Sequence, residues 1–436
     1  MSDTKYQSNS EHLELFEDIK TSERPIRLPG TTWQLEFGVL PGQIFLAEHE
    51  GHQDAEAHWD VGVLAVSLWF DYSETPLTLK AKALEGDRAR VCYLEYRLEL
   101  YVNDRLVDEE WPFGHALLDG AKMTGEVQIT PFQVLREEQP AVLESFSQAE
   151  GWHPEEDVWV GDCMPFSHDG VYHVFYLKDR HRHQSSWGKG GHQWAHISSR
   201  DLVIWDVHPL AIEIDRQTEG SICTGSILYH AGKYYAFYAV RTMDGSPAPL
   251  CCAVSEDGAH FVKSEMNIIV SDKYRQGSVR DPKVFADADG LFHMFVTTSI
   301  RNGEDWQGCL AHLTSSDLWE WQEQPEPAFL TEVYPQDFHS PWTIEPECAD
   351  YFHKGGWYYL ISRSHYWMSR EAFGPWHAPE NSRIPCGNVP KMAFWQDGRI
   401  IFVGFVSDSG YAGLMTFQEA RQRADGTLEF FAVGEM

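Results

Sequence analysis

The strongest constraint on the fold is a phrase that recurs five times, a glycine turn followed at once by an aromatic-rich strand. The copies follow one another at intervals of roughly 40 to 66 residues. They are Asp169–Tyr176, Gly232–Tyr238, Gly290–Phe295, Gly356–Leu360 and Gly398–Val403. Strand-rich repeats of this kind are typical of β-propellers, in which each small sheet buries its faces against its neighbours around an axis. The pattern predicts five blades. An ordinary β-sandwich with chance similarity between its hairpins is the alternative.

A second phrase follows several copies of the first and supports the same repeat. It begins with serine and aspartate and runs on to an aromatic residue. Its copies are Ser198–Trp205, Ser315–Trp321, the weaker Ser255–Phe261 and a degenerate form at Ser369–Trp376.

Residues 25–135 have a different pattern, short strands with alternating polarity. The predicted strands are Trp33–Phe37, Val61–Phe70, Leu77–Leu84 and Ala89–Val102, the last continuing through a type I′-like turn at Asn103-Asp104. This pattern predicts an N-terminal concanavalin-like β-sandwich. We place a polar segment at 1–24, the sandwich at 25–135, a linker with a short helix over Ala141–Ala149 at 136–152, and the propeller at 153–436.

Composition excludes several classes of partner. The net charge is −32, which argues against nucleic acid and against anionic membrane surfaces. No apolar stretch approaches the length of a membrane span, and residues 1–20 lack the apolar core of a secretory signal. The eight cysteines contain no C-x-x-C pair, which favours free thiols in a reducing cytoplasm over a disulfide framework.

Three short carboxylate segments carry the chemistry. They contain Asp162, Asp281 and Glu347, which are 119 and 66 residues apart and meet only in a fold that unites distant strand starts. Three converging acids suit the cleavage of a glycosidic bond, with one as nucleophile, one as proton donor and one orienting the sugar. The alternatives are a turn aspartate at 162, a surface salt bridge at Arg280-Asp281 and a solvated glutamate at 347.

The chain from Trp159 onward resembles glycoside hydrolase family 32, the β-fructosidase family with a five-bladed propeller. Trp159–Pro165 is similar to its W-M-N-D-P-N-G segment, and Tyr172–Tyr176 to its Y-H-L-F-Y strand. The other matching segments are Trp194–Trp205, Gly220–Ser226, the R-D-P match at Arg280–Pro282, Pro346–Phe352 against W-E-C-P-D-x-F, and Glu419–Leu428. Such an enzyme needs no cofactor.

The resemblance implies a role for each acid. Asp162 is the expected nucleophile, Glu347 the general acid/base, and Asp281 the residue that stabilises the transition state. Glu345, two residues from Glu347, is a rival for the acid role. Arg280 is expected to pair with Asp281 or Glu347 and hold the cluster in register. The expected substrate-binding residues are Trp159, Trp187, His192, Gln193, Trp194, Thr224 and Arg280.

A polar, glycine-rich loop follows the first of these strands. His181, His183, His192 and His196 suggest a metal, but two arginines in the same run oppose cation binding. We therefore expect no metal and predict that the loop hydrogen-bonds sugar hydroxyls, with packing at the blade edge as the alternative for its aromatic residues. Its basic run also suits an anionic group such as a phosphorylated sugar.

This sequence departs from the family pattern near the expected nucleophile. Gly161 stands where the family has Asn, Cys163-Met164 where it has Pro-Asn, and Leu177 where it usually has Gln. The sandwich precedes the propeller here, whereas the family usually places it after, so the order of domains is permuted.

The predicted activity is retaining hydrolysis of a β-fructoside, such as sucrose or a fructo-oligosaccharide, in the cytoplasm. The predicted partner is a small carbohydrate, with a homodimer as one option for the oligomeric state. Three alternatives stay open: an inverting arabinofuranosidase or xylosidase, a fructosyltransferase, and a sugar-binding propeller without activity.

Overall fold

The computed structural model describes residues 19–20, 28, 32–71, 74–94, 97–112, 115–131, 139–154, 158–179, 191–216, 218–242, 245–247 and 249–433. Almost all regular structure in these residues is β-strand, apart from short 3₁₀ segments at Gln276–Ser278 and Pro341–Thr343. No helix in the described ranges is long and apolar enough to cross a membrane.

An antiparallel β-sandwich comes first, as predicted. Its strands are β1 (Ile19–Lys20), β2 (Trp33–Gly38), β3 (Gly42–His49), β4 (His52–Asp60), β5 (Val63–Leu68), β6 (Leu77–Lys82), β7 (Arg88–Tyr93), β8 (Leu98–Val102), β9 (Arg105–Glu110) and β10 (Lys122–Pro131). The hydrogen-bonded order is β6-β5-β4-β3-β10-β2-β7-β8-β9, with β1 on β10. One layer contains β3 to β6 and the other β2 and β7 to β9.

Strand β10 belongs to both layers. Its first half pairs with β3 and its second half with β2. It bends at Gly125, where φ is +113° and an added Cβ would lie 2.3 Å from the carbonyl oxygen of Ile44. The far edges also meet, since the amide of Lys80 on β6 donates to Asp108 on β9 at 2.7 Å. The sandwich is therefore nearly closed, like a barrel, around one apolar core.

In the sandwich, one predicted strand differs from the structure and one predicted turn is confirmed. The predicted strand Ala89–Val102 is interrupted and forms β7 and β8. The Asn103-Asp104 turn is confirmed, because φ is +49° and +63° at its two central residues, as a type I′ turn requires.

Four sheets follow and form the five predicted blades, because the strands of blades 1 and 5 belong to one continuous sheet. Blade 1 contains β11 (Glu144–Ser147), β12 (Trp159–His168), β13 (Val171–Asp179), β14 (Gln193–Ser199) and β15 (Ile204–Val207). Blade 2 contains β16 (Glu219–His230), β17 (Lys233–Thr242), β18 (Cys251–Ser255) and β19 (Val262–Lys263). Blade 3 contains β20 (Arg280–Ala286), β21 (Phe292–Asn302), β22 (Asp305–Ser315), β23 (Gln322–Glu323) and β24 (Phe329–Tyr334).

Blade 4 contains β25 (Asp350–Lys354), β26 (Trp357–Ser362) and β27 (His365–Ser369). Blade 5 contains β28 (Asn388–Phe394), β29 (Ile400–Ser407), β30 (Gly413–Gln422) and β31 (Leu428–Phe431). The helix predicted over Ala141–Ala149 is wrong. Residues 144–147 are extended because they pair with β15 as the outermost strand of blade 1.

Each recurring glycine lies in the turn that joins the first and second strands of a blade. These glycines all have positive φ, between +72° and +85°, which explains why glycine recurs there: Gly170, Gly232, Gly290, Gly356 and Gly398. The serine–aspartate phrase forms the next turn. In blade 1, Ser199 accepts from the amide of Leu202, and Asp201 accepts from the amides of Val203 and Ile204.

Side chains tie the inner strands together around the axis. Lys283 on β20 contacts Asp350 on β25 at 2.5 Å, and Asp350 also accepts from the amide of Met392 on β28. Ser226 on β16 donates to the carbonyl of Pro282 on β20. Blades 1 and 5 share one sheet, because Val160 on β12 pairs with Gly413 on β30.

Candidate active site

Bulges in the inner strands aim side chains at the axis. Strand pairing skips residues between Val160 and Cys163 on β12, between Ile222 and Gly225 on β16, and between Arg280 and Lys283 on β20. A bulge leaves residues unpaired and redirects their side chains, and bulges are frequent beside active sites. These bulges hold Asp162, Thr224 and Asp281.

Two backbone positions at the site are left-handed. Asp281 has φ +53° and Cys348 has φ +52°. Non-glycine residues in this region are uncommon and persist where the surroundings enforce them. The amide of Cys348 donates to Oδ2 of Asp281 at 3.0 Å, so the two unusual positions hold each other.

Asp162 is buried and receives several donors. Thr224 Oγ1 donates to its Oδ2 at 2.5 Å, and Tyr411 Oη donates to its Oδ1 at 2.6 Å. The thiol of Cys348 lies 3.1 Å from Oδ2 of Asp162 and 3.6 Å from Oδ2 of Asp281. Two of the three predicted acids therefore touch the same sulfur atom.

Arg280 connects the remaining acid to this group. Its Nη2 contacts Glu347 at 2.7 Å, its Nη1 contacts Glu345 at 2.6 Å, and its Nε lies 3.7 Å from Asp281. Burial opposes the charge of Arg280, but these neighbouring carboxylates raise its pKa above the ordinary value. The guanidinium thus stays charged and holds three carboxylates in place.

The two neighbouring glutamates are in different states. Glu345 is fully buried, and its Oε1 accepts from Ser299 at 2.7 Å and from Tyr334 at 3.2 Å. Burial opposes its ionisation, but Arg280 and the Ser299 hydroxyl hold its pKa below the usual range. Glu347 is 28% exposed, and desolvation raises its pKa to about 7 in spite of Arg280. Glu347 can therefore exchange a proton near neutral pH, whereas Glu345 is fixed as an anion.

Asp281 has little contact with solvent. Desolvation raises its pKa above the ordinary value, against the lowering effects of Arg280 and of the amide of Cys348. The buried Lys391 on β28 also opposes this rise, and its ammonium donates to the carbonyl of Gly225 at 2.9 Å. Residues of blade 5 and of the segment before blade 4 thus both contribute to the surroundings of the acid from blade 3.

The predicted substrate-binding residues have different surroundings. Trp194 is fully buried, and its indole N–H donates to the carbonyl of Cys223, next to Thr224. The buried Gln193 accepts from the amide of Ile214. His192 Nε2 lies 2.7 Å from Oδ2 of Asp179, and Trp159 stacks on His153 with ring centroids 4.7 Å apart.

The structure brings Thr224 and Arg280 into contact with the acids, and His192 packs against Tyr411 with ring centroids 5.4 Å apart. Trp187, His181 and His183 lie outside the described residues. His196 is buried and contacts His173 at 3.0 Å in blade 1. Within the described ranges, no three His, Cys, Asp or Glu side chains are arranged to hold a metal ion.

Sequence reasoning missed Tyr411 and Lys391. Both come from blade 5, and Tyr411 is 249 residues from Asp162 in the chain. Glycine in place of the family asparagine at position 161 is the signal that another side chain fills this space. Tyr411 lies in the turn between β29 and β30, outside every motif used above.

The family model for the glycosyl hydrolases family 32 N-terminal domain matches residues 156–369. Sucrose-6-phosphate hydrolase from Escherichia coli is 26% identical over 260 residues, which are 57% of this chain and 47% of that protein. The Bacillus subtilis protein of the same name is 29% identical over 157 residues, which are 35% of this chain and 31% of that protein. The matched segments therefore span less than half of either relative.

Among solved structures, fructan 1-exohydrolase IIa from Cichorium intybus in complex with 1-kestose is similar, with a TM-score of 0.52 and 18% identity. The superposition covers 66% of this chain and 61% of that chain. At this identity the likeness supports the propeller fold.

Proposed function

The chain is a divergent member of glycoside hydrolase family 32, and on that premise we propose that it is a retaining glycosidase that cleaves β-fructosides. One observation carries the proposal: Cys348 touches both Asp162 and Asp281, and Arg280 links Asp281 to Glu347. Acids more than 60 residues apart in the chain therefore surround one point.

The proposed mechanism has two steps. Asp162 attacks the anomeric carbon of the fructosyl unit while Glu347 protonates the leaving oxygen, so the glycosidic bond breaks and a fructosyl ester forms. Glu347, now ionised, takes a proton from water, and the resulting hydroxide releases fructose and regenerates both carboxyl groups. Asp281 accepts hydrogen bonds from sugar hydroxyls that strengthen as the ring flattens.

The state of Glu347 supports the acid role. A general acid works best with a pKa near the working pH, and Glu347 has one near 7. Glu345 is a poor rival because its oxygens are occupied by Arg280, Ser299 and Tyr334. All eight cysteines are free thiols, which supports the proposal that hydrolysis takes place in the cytoplasm.

The test is a panel of sucrose, inulin-type oligomers, an aryl arabinofuranoside and an aryl xyloside, with products separated by chromatography. We expect fructose from a β-fructoside, with retention of configuration, and no cleavage of the pentosides. Cleavage of a pentoside alone would favour the inverting rivals, and fructosyl oligomers without free fructose would favour a transferase. No turnover together with measurable sugar binding would favour the binding protein.

Two variants test the assigned roles. Asp162→Asn and Glu347→Gln keep the shapes of the side chains, and each should lower kcat at least about 10²-fold. Asp289→Asn, an exposed change in the turn between β20 and β21, is the matched control and should retain activity. Full activity of either site variant would remove that residue from the mechanism.

Arg241 favours a phosphorylated fructoside as a second candidate substrate. It lies near the end of β17, opposite Ser221 on the inner strand β16. Burial lowers its pKa, and the ion pairs of the described residues do not include it. Its charge is felt by Cys223, the neighbour of Thr224, and a desolvated guanidinium suits a phosphate. The relatives named above are sucrose-6-phosphate hydrolases.

The comparison of sucrose with sucrose 6-phosphate tests this candidate. Arg241→Gln should lower kcat/KM for the phosphate ester at least about tenfold and change that for sucrose little. Arg301→Gln is the control, because Arg301 occupies the end of the equivalent strand β21 but lies over Trp306 at 4.2 Å. Equal losses on both substrates would contradict a phosphate-binding role for Arg241.

A further inference from the structure

Position 161 is a glycine for reasons of space. A Cβ added there would lie 2.8 Å from Tyr411 Oη, 3.0 Å from its Cε1 and 3.1 Å from the Cβ of Leu177. The backbone of Gly161 does not have the positive φ that favours glycine. A larger residue at this position therefore requires the tyrosine ring from blade 5 to move.

The hydroxyl of Tyr411 makes two hydrogen bonds to Asp162. Oη donates to Oδ1 of Asp162 at 2.6 Å and accepts from the amide of Asp162 at 3.1 Å. Burial and the charge of Asp162 raise the pKa of Tyr411 well above the ordinary value, so the phenol stays a donor. Its ring lies between His192 and Phe405, with centroid distances of 5.4 and 5.3 Å.

The closure of the propeller fixes this arrangement. Val160 pairs with Gly413, so Tyr411, two residues before Gly413, lies beside Gly161 and Asp162. Gly413 itself cannot be replaced easily, because an added Cβ would lie 2.0 Å from the carbonyl oxygen of Val406. The turn between β29 and β30 thus places the side chain of Tyr411 beside the first blade.

We propose that Tyr411 is a positioning residue for the nucleophile, and that it fills the space beside Gly161 and holds the carboxylate of Asp162 aimed at the sugar. This inference rests on the proposed role of Asp162. Together with Thr224, Tyr411 supplies hydroxyl donors to both carboxylate oxygens.

Other titratable groups also surround Asp162. They are Cys163 on its own strand, Cys223 from blade 2, Asp281 from blade 3, Glu347 and Cys348 from blade 4, and Tyr411 from blade 5.

The first test is Tyr411→Phe, which removes the hydroxyl and keeps the ring. We expect kcat to fall at least about tenfold with little change in KM, because an aimed carboxylate is lost. The acidic limb of the pH–rate profile should move to higher pH by about one unit, because loss of a donor favours the protonated carboxyl. The control is Tyr172→Phe, which removes a buried hydrogen bond from Tyr172 of blade 1 to Ile401 of blade 5. It should leave the acidic limb in place.

The second test is rescue. Tyr411→Ala opens the space, and adding Gly161→Asn returns a donor to it from the neighbouring position. The double variant should recover at least about tenfold in kcat over Tyr411→Ala, whereas Gly161→Asn alone should lose activity because the tyrosine is displaced. Failure of the rescue, or a normal acidic limb in Tyr411→Phe, would overturn the proposal.

These outcomes are separate from those of the proposed function. An inactive Asp162→Asn variant with an unaffected Tyr411→Phe variant would remove Tyr411 alone, whereas an active Asp162→Asn variant would remove the nucleophile assignment. Should the wild type cleave none of the substrates, carboxyl ¹³C NMR still measures the titration of Asp162, identified by its absence in Asp162→Asn. An unchanged titration midpoint in Tyr411→Phe would then overturn the proposal.

Discussion

Arg280 contacts two nearby glutamates that have opposite properties. Glu345 and Glu347 contact different nitrogens of its guanidinium, but Glu345 is sealed from solvent and Glu347 is partly open. From the sequence, Glu347 was the expected acid, and Glu345, two residues away and expected on the same face, was its rival. They lie instead in the segment that follows a 3₁₀ turn, before β25 begins. A two-residue spacing has a fixed meaning only in regular structure, so the sequence could not separate them.

The proton on Glu347 sets the expected pH dependence. Its pKa is raised to about 7, so the acid is protonated below that value and ionised above it. We expect kcat/KM of the free enzyme to fall as pH rises through about 7. A β-fructoside whose leaving group needs no protonation should partly rescue the first step in Glu347→Gln. An equal loss on both kinds of substrate would contradict the acid role.

At the scale of the element, the turns of the blades could be predicted from the sequence and the bulges could not. A glycine with positive φ and an aspartate that accepts from the next amides leave a mark on the sequence, because few residue types serve there. A bulge is a shift in backbone pairing that many residues tolerate, so the bulges that hold Asp162 and Thr224 could not be predicted. Strands β3 and β4 were also missed, and β4 is largely polar.

The serine of the recurring turn provides a test at this scale. Ser315 is buried and accepts from the amide of Leu318 at 2.9 Å, whereas the adjacent Ser316 is exposed. Ser315→Ala should lower the free energy of unfolding by about 1 kcal/mol, because a buried amide loses its acceptor. Ser316→Ala should change it by less than about 0.5 kcal/mol. Urea unfolding measures both, and equal values would show that the turn bond adds no stability.

At the scale of the whole molecule, charged side chains hold the blades together near the axis. Asp350 has 1% of its side chain exposed and Lys283 16%, at a separation of 2.5 Å between blades 3 and 4. The number of blades could be predicted because the turns repeat. The pairing of Lys283 with Asp350 could not, since it joins residues of different blades that no local pattern relates.

This buried ion pair gives the largest expected effect on stability. Lys283→Met leaves a buried carboxylate without its partner and should cost about 3–5 kcal/mol. Lys273→Met breaks the more exposed pair with Glu323 inside blade 3 and should cost about 1 kcal/mol or less. Comparable losses in denaturant unfolding would contradict a special role for the pair between blades.

The hydrogen bond between Tyr411 and Asp162 also determines when the site can form during synthesis of the chain. A ribosome synthesises Asp162 long before Tyr411, and the early blades can begin to fold while the later ones are still missing. In such a nascent chain Asp162 has no phenol beside it, because the strand register at Val160 and Gly413 does not yet exist. The site proposed for hydrolysis is therefore complete only when the last blade docks on the first.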